Sequence, residues 1–195
     1  MTVRPHKRYR EFLARVSRLP KLVPWKEITF RSVDLDHASP DQILTGEGSL
    51  KFGSRWNAPG VFPVVYSSTR PGTAREEAFL LAADYRLKPD DLKPRIICGI
   101  EWHLSSVLNL TSADLPAWLN LPEWMHENFE SINDSGFETL CQAFGRAARN
   151  SGVVALLCPS ARLAKGVNLV VFRDRLRKAD RMRLLGRAEL EKHLA

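Results

Sequence analysis

The chain has 195 residues, 44% of them hydrophobic and 26% charged, a composition typical of one globular domain with a full core. Its 29 Lys and Arg residues exceed its 22 Asp and Glu residues, and the net charge of +7 favours an anionic ligand or partner. The three cysteines form no CxxC pair, the five histidines have no metal-ligand spacing, and no apolar run reaches the ~20 residues of a membrane span, so we expect a cytoplasmic protein without a bound metal.

The N-terminal part of the chain predicts a helix, a strand and a helical turn. A basic amphipathic helix is expected over "RPHKRYREFLARVSRL", with Phe12, Val16 and Leu19 on one face. A short strand is expected over "EITFRSV". A helical turn follows in "SPDQIL", where Ser39 is the N-cap and Pro40 takes the first helical position.

The next part of the chain predicts a hairpin followed by a helix. Two strands are expected around the Asn-Ala-Pro-Gly turn of "KFGSRWNAPGVFPVVYSS", because Gly, Asn and Pro supply the backbone conformations of a tight turn. This turn also carries Arg55, which is either a solvated loop charge or a side chain that the turn directs at a ligand. A helix is expected over "TAREEAFLLAADYRL", where Thr73 and Glu76 form a capping box. Its inward stripe consists of small and apolar residues: Ala74, Ala78, Leu81 and Tyr85.

The rest of the chain predicts three strands and two helices. The strands are expected over "PRIICGIEW", "VVALLCPS" and "NLVVF", and the loop "ARLAKG" joins the last two. An amphipathic helix is expected over "FETLCQAFGRAARNSG" and a weaker one over "RAELEKHLA". Because strands and helices do not alternate regularly, the expected fold class is α+β, a single domain with a mixed or antiparallel sheet flanked by helices. We divide the chain into a basic helical segment (1–25), a central domain (26–175) and a basic C-terminal segment packed on that domain (176–195).

Three residues in and after the hairpin have the chemistry of a site that cleaves the N-glycosidic bond of a nucleotide. The guanidinium of Arg55 can bind phosphate oxygens through two hydrogen bonds. The ring of Tyr66 can stack on a base or a pyridinium. The carboxylate of Glu77 can stabilise an oxocarbenium-like centre or bind ribose hydroxyls. Each residue also has a structural explanation, as a loop charge, a core tyrosine or a carboxylate on a helix face.

The order of several motifs resembles the RES domain, a family named for an arginine, a glutamate and a serine. The resemblance lies in "FRSV", "GEGSLKFGSRWNAPGVFPVVYSS", "TAREEA" and "LLCPSARLAKGVN", and runs from about Phe30 to Asn168. Two features depart from the family pattern. Ser32 stands where many members have an aromatic residue, and the basic C-terminal segment extends beyond the usual end of the domain.

Carried over position by position, the resemblance implies a set of site residues without a metal. Arg55, Tyr66 and Glu77 would be catalytic, with Arg55 directed at the pyrophosphate of NAD⁺ and Tyr66 packed against the nicotinamide ribose or ring. The residues that would bind NAD⁺, the substrate, are the following: Arg31, Ser32, Ser160 and Asn168.

The resemblance also implies a fold similar to that of ADP-ribosyltransferase toxins and the function of a toxin in a toxin–antitoxin pair. The toxin would cleave NAD⁺ at the nicotinamide–ribose bond, with water or phosphate as the acceptor. Its partner would be an antitoxin with an Xre-type helix-turn-helix domain. The toxin would contact DNA only through this antitoxin, and a toxin homodimer could form within the assembly. Two alternatives stay open: transfer of ADP-ribose to a cellular protein, and a basic nucleic-acid-binding module, which "KRYR" and "RDRLRKADRMR" favour.

Overall fold

A computed structural model describes residues 3–19, 22–84 and 93–194. Within these ranges, the helices are α1 (Tyr9–Val16), α2 (Pro40–Thr45), α3 (Glu47–Phe52), α4 (Pro71–Asp84), α5 (Leu121–Met125), α6 (Phe129–Asp134), α7 (Leu140–Asn150) and α8 (Arg187–Leu194). The strands are β1 (Val23–Asp34), β2 (Val64–Ser68), β3 (Arg95–Asn109), β4 (Ala155–Pro159), β5 (Val167–Phe172) and β6 (Arg181–Leu184). None of the helices in the described ranges has the length and hydropathy required to cross a bilayer.

The strands form a sheet that closes on itself. β1 pairs with β2, β2 with β5, and β5 with β4, all antiparallel, and β4 runs parallel to the end of β3. β3 then pairs antiparallel with β1 along most of its length, which returns the sheet to its first strand, while β6 adds to β3. The prediction of a single α+β domain with a mixed sheet flanked by helices is confirmed. Closure into a barrel was not predicted, because it depends on pairing between distant strands and not on local periodicity.

Neighbouring side chains along the strands point into two different cores. On β2, Val64 belongs to the core beneath the helices and Val65 to the core on the opposite face of the sheet, as strand alternation requires. Tyr66 again packs on the helical side, so the helix-facing surface of β2 is the one that carries site residues. α1 and α7 cover this surface, and the ring of Phe12 lies 5.8 Å from that of Phe144. The predicted inward face of α1 is confirmed, since Phe12 and Val16 are buried and Leu19 is partly buried.

The predicted first strand of the hairpin is wrong, because its residues form the end of helix α3. Gly46 and Gly53, with φ of 74° and 73°, bound this helix in a backbone conformation that L side chains rarely adopt. The hydroxyl of Ser49 accepts a hydrogen bond from the Val64 amide (2.8 Å), so a side chain rather than a neighbouring strand satisfies the start of β2. The turn therefore connects a helix to a strand.

The predicted capping box on α4 is also wrong. The helix begins at Pro71, a favoured first residue, and the Ala74 amide already donates to the Arg70 carbonyl (3.1 Å). Thr73 is consequently inside the first turn, and Glu76 pairs with Arg75 instead. The predicted inward position of Ala74 is confirmed. The side chains of the last two stripe residues, Leu81 and Tyr85, lie outside the described residues.

Gly145 of α7 predicts a measurable effect on stability. A Cβ at this position would overlap the carbonyl oxygen of Trp56, the residue after Arg55. Although Ala is normally about 1 kcal/mol better than Gly inside a helix, we expect Gly145→Ala to lower the free energy of unfolding by about 1–3 kcal/mol through overpacking. Urea unfolding followed by circular dichroism measures this change. Gly72→Ala on α4, where a Cβ meets no atom within 4 Å, is the control; equal stability of the two variants would contradict the prediction.

Candidate active site

A cleft of about 390 Å³ opens on the helix-facing surface of the barrel, within the size range of ligand pockets. We call it the arginine cleft, because the charged side chains that line it are four arginines and one glutamate: Arg31, Arg55, Arg95, Arg162 and Glu77. Six of the seven predicted site residues line this cleft: Arg31, Ser32, Arg55, Tyr66, Glu77 and Asn168. The seventh, Ser160, hydrogen-bonds to Glu77. Residues separated by more than 130 positions in the sequence are thus brought together.

The carboxylate of Glu77 is held by three side chains. Its Oε1 accepts hydrogen bonds from the Ser160 hydroxyl (2.5 Å) and the Asn168 amide (2.6 Å). Its Oε2 lies 3.6 Å from Nε of Arg162, whose place in the site the sequence did not indicate. These donors fix the orientation of the carboxyl group in the wall of the cleft, where it can face a cationic centre.

Local structure explains why these donors point at Glu77. Asn168 on β5 pairs with Ser68 on β2, and the Ser68 hydroxyl donates to Oδ1 of Asn168 (2.7 Å), which leaves the Asn168 Nδ2 for Glu77. The Ser160 hydroxyl accepts from the backbone amides of Arg162 (3.1 Å) and Leu163 (2.9 Å) in a tight turn after β4. The Ser160 oxygen uses its two lone pairs to accept from these amides, so its hydroxyl proton can be donated to the Glu77 carboxylate.

Arg55 is bound to the protein at one end of its guanidinium. Its Nη1 donates to the carbonyls of Met125 (2.8 Å), the last residue of α5, and Glu127 (3.3 Å), and the guanidinium lies 5.7 Å from the ring centroid of Phe129. The resemblance implied that Arg55 is directed at the pyrophosphate, but its Nη1 is bound to the protein. One nitrogen holds the segment that follows α5, and the group as a whole borders the arginine cleft.

Tyr66 contributes its hydroxyl to the Arg55 turn and its ring to the cleft. The hydroxyl donates to Oδ1 of Asn57 (2.8 Å) and accepts from the amide of Trp56 (3.0 Å). Burial raises the pKa of Tyr66, so the phenol stays neutral and can serve as a donor at physiological pH. Tyr66 thus fixes the backbone on the C-terminal side of Arg55.

Asn57 and Gln142 hold the same turn; the sequence indicated Asn57 as a turn residue but did not indicate Gln142. Asn57 is fully buried, and its Nδ2 donates to the carbonyls of Ser49 (2.7 Å) and Phe62 (3.2 Å). Gln142 on α7 donates through Nε2 to the carbonyls of Ser54 (2.9 Å) and Asn57 (3.3 Å). The Asn-Ala-Pro-Gly motif indicated a turn, but no local pattern shows that a helix residue so far along the chain completes it.

Arg31 is a cation in the cleft wall without an ion pair among the described residues. Its Nη1 donates to the carbonyl of Tyr66 (2.9 Å), while its Nε is buried and has no hydrogen-bond partner in the described part of the chain. Burial lowers the pKa of Arg31, and the charge of Arg95 lowers it further. The buried and unsatisfied Nε donor is costly in the free protein, and the partly buried guanidinium favours an anionic ligand.

Ser32 lines the cleft and holds the side chain of Arg95. Its hydroxyl accepts from Nε of Arg95 (2.9 Å), and Arg95 also pairs with Asp34. Ser32 therefore orients one of the cleft arginines and is not itself an aromatic stacking surface. Among the described residues, no group of three or more His, Cys, Asp or Glu side chains is placed to hold a metal ion.

Comparison with known proteins shows the family of this chain and several of its relatives. The RES domain family model matches residues 28–191. The NAD(+) phosphorylase MbcT of Mycobacterium bovis and that of Mycobacterium tuberculosis are each 29% identical to this chain over 165 residues, which cover 76% of this chain and 74% of MbcT. The crystal structure of the M. tuberculosis MbcT–MbcA toxin–antitoxin complex contains a chain that is similar in fold, with a TM-score of 0.62, 26% identity and coverage of 93% and 95% of the two chains. The chain is a homologue of MbcT and belongs to the RES domain family.

Proposed function

We propose that this protein is the toxin of a toxin–antitoxin pair and cleaves NAD⁺ at the bond between nicotinamide and ribose. The observation that carries the proposal is the Glu77 carboxylate, held by Ser160, Asn168 and Arg162 in a cleft that otherwise carries only positive charge among its described residues. A dinucleotide with a pyrophosphate and a cationic nicotinamide ring matches this distribution. Homology to the NAD(+) phosphorylase MbcT supports the same substrate.

Each site residue has a role in this reaction. Glu77 stabilises the positive charge that develops at the anomeric carbon as neutral nicotinamide leaves, so no strong general acid is needed. Arg31 and Arg55 bind the pyrophosphate oxygens. Tyr66 borders the nicotinamide ribose with its ring and positions Arg55 through its hydroxyl. Ser160 and Asn168 orient Glu77, and Ser32 acts through Arg95.

The acceptor of ADP-ribose that we favour is inorganic phosphate, because MbcT is named a phosphorylase. In that reaction the C–N bond breaks with its electron pair on nicotinamide, and a phosphate oxygen bonds the anomeric carbon to give ADP-ribose 1-phosphate. A fold similar to ADP-ribosyltransferase toxins remains part of the proposal, and transfer to a cellular protein is the second outcome to test.

The proposed partner is a cognate antitoxin with an Xre-type helix-turn-helix domain, in a cytoplasmic complex that can contain a toxin homodimer. The structure of MbcT with MbcA supports an antitoxin for this chain too. The division into 1–25, 26–175 and 176–195 is likewise a proposal. The nucleic-acid alternative is weaker, because arginines of the C-terminal segment pair with acidic residues of the same chain, Arg183 with Glu101 and Arg187 with Asp41.

The experiment that tests the function is an assay of the purified protein with NAD⁺, in buffer with and without phosphate. We expect release of nicotinamide, with ADP-ribose 1-phosphate as co-product when phosphate is present. Free ADP-ribose at the same rate in both buffers would show a hydrolase, and label on added cell protein would show a transferase. NAD⁺ left intact, together with salt-dependent binding of DNA or RNA, would refute the proposal.

A further inference from the structure

Phe52 is an aromatic side chain in an unusual position. It lies at the end of α3, lines the arginine cleft and is 69% exposed to solvent. A single exposed hydrophobic residue is common on protein surfaces, but Phe52 lies in the lining of a cleft of ligand size, where its ring is accessible to a bound molecule. We propose that Phe52 stacks on the adenine base of the dinucleotide; this inference rests on the proposed function.

The topology of β2 indicates which of the two bases reaches Phe52. Ser49 of α3 bonds to Val64, the first residue of β2, whereas Asn168, which holds Glu77, pairs with Ser68, the last residue. At ~3.3 Å per residue these two ends of the strand lie ~13 Å apart. Glu77, where nicotinamide leaves, is therefore at the end of the cleft opposite to α3.

The pyrophosphate site lies between these two ends. Arg31 donates to the carbonyl of Tyr66, the central residue of β2. The order along the strand is thus carboxylate, guanidinium and exposed aromatic ring. In NAD⁺ the order is nicotinamide ribose, pyrophosphate and adenosine, so the adenine matches the Phe52 end of the cleft.

α3 is fixed well enough to present a rigid stacking surface. The carbonyl of Ser49 accepts from Asn57 (2.7 Å), and the carbonyl of Leu50 accepts from the Gly60 amide (2.6 Å). The ammonium of Lys51 lies 4.9 Å from the centroid of the Phe52 ring. A base would stack on the face of the ring that the ammonium does not cover, a contact open to any nucleobase because each has a π-face.

The test compares Phe52→Ala with a matched control on two substrates. Phe137 is 50% exposed and also has a cation over its ring, Arg4 at 5.8 Å, but it is not part of the cleft lining. We expect Phe52→Ala to raise KM for NAD⁺ about tenfold with little change in kcat, and Phe137→Ala to change neither. With nicotinamide mononucleotide, which lacks the adenylate, Phe52→Ala and the wild type should have equal kcat/KM.

A binding measurement separates this inference from the proposed function. Calorimetric titration with ADP needs no turnover, and we expect Phe52→Ala to bind ADP about tenfold more weakly than the wild type, with Phe52→Trp restoring the affinity. This loss would support the adenine site even if NAD⁺ is not cleaved. Equal ADP affinity in wild type and Phe52→Ala, no ADP binding by the wild type, or equal losses on both substrates would overturn the inference. A loss of antitoxin affinity alone would instead assign Phe52 to a protein contact.

Discussion

Glu77→Gln is expected to lower kcat for nicotinamide release by about 10²–10³-fold, the effect of removing one group that stabilises transition-state charge. The amide keeps the size of the side chain and can still accept from Ser160 and Asn168. It loses the negative charge that faces the developing oxocarbenium centre. KM for NAD⁺ should change less than kcat, because the charge acts mainly in the transition state.

Glu76 provides the control for this variant, since it precedes Glu77 on the same helix. Glu76 pairs with Arg75 in an exposed ion pair and is absent from the cleft lining. Glu76→Gln should retain full activity, because an exposed ion pair contributes at most about 1 kcal/mol to stability. Rates are measured with thermal unfolding of both variants alongside. An active Glu77→Gln protein would contradict the assignment of Glu77 as the residue that stabilises the cationic centre.

Arg31→Met is expected to have opposite effects on activity and on stability. The loss of a charged pyrophosphate contact should lower kcat/KM by about 30–1000-fold, which corresponds to about 2–4 kcal/mol. The free protein should become more stable by about 1 kcal/mol, because methionine fills similar volume without burying a charge. The lowered pKa of Arg31 agrees with this expected gain in stability. A pKa lowered by folding means that the folded state disfavours the charged form, so the charge lowers the free energy of unfolding at neutral pH.

The two effects are measured by NAD⁺ kinetics and by urea unfolding without ligand. Arg183→Met on β6 is the control, because Arg183 is exposed and pairs with Glu101 away from the cleft. It should leave activity unchanged and alter stability by less than about 1 kcal/mol. If Arg31→Met destabilises the free protein as strongly as it lowers activity, Arg31 is a structural residue and its role as a ligand-binding cation is wrong.

The sequence predicted which residues form the site better than it predicted how they contact one another. Arg55 indicated a functional site because a large cation is unnecessary in a turn that Gly, Asn and Pro already specify. Its hydrogen bonds to Met125 and Glu127 could not be predicted, because they join segments 70 or more residues apart. The resemblance to the RES domain supplied Ser160 and Asn168, and only the structure shows that both hold Glu77.

The errors in the fold have the same origin. "GSLKF" contains few helix-favouring residues, and its helical form depends on Ser49 bonding to a strand that follows later. The short strand β6 was not predicted. Its sequence, "RMRL", alternates arginine with apolar residues, but it lies in a basic segment whose charge indicated a solvated tail. Closure of the barrel depends on the register of β1 against β3, which no local window contains.

The distribution of the site along the chain has a consequence for synthesis. Ser160 and Asn168 follow Glu77 by 83 and 91 residues, and the strand that carries Asn168 is also needed to close the barrel. At roughly 5–20 residues per second, the ribosome adds Asn168 roughly 5–20 s after Glu77. Throughout this interval the nascent chain carries Arg31, Arg55 and the Glu77 carboxylate without Asn168, which orients the carboxylate. An enzyme harmful to its own cell would therefore gain activity only after Asn168 has been added and its strand has folded into the barrel.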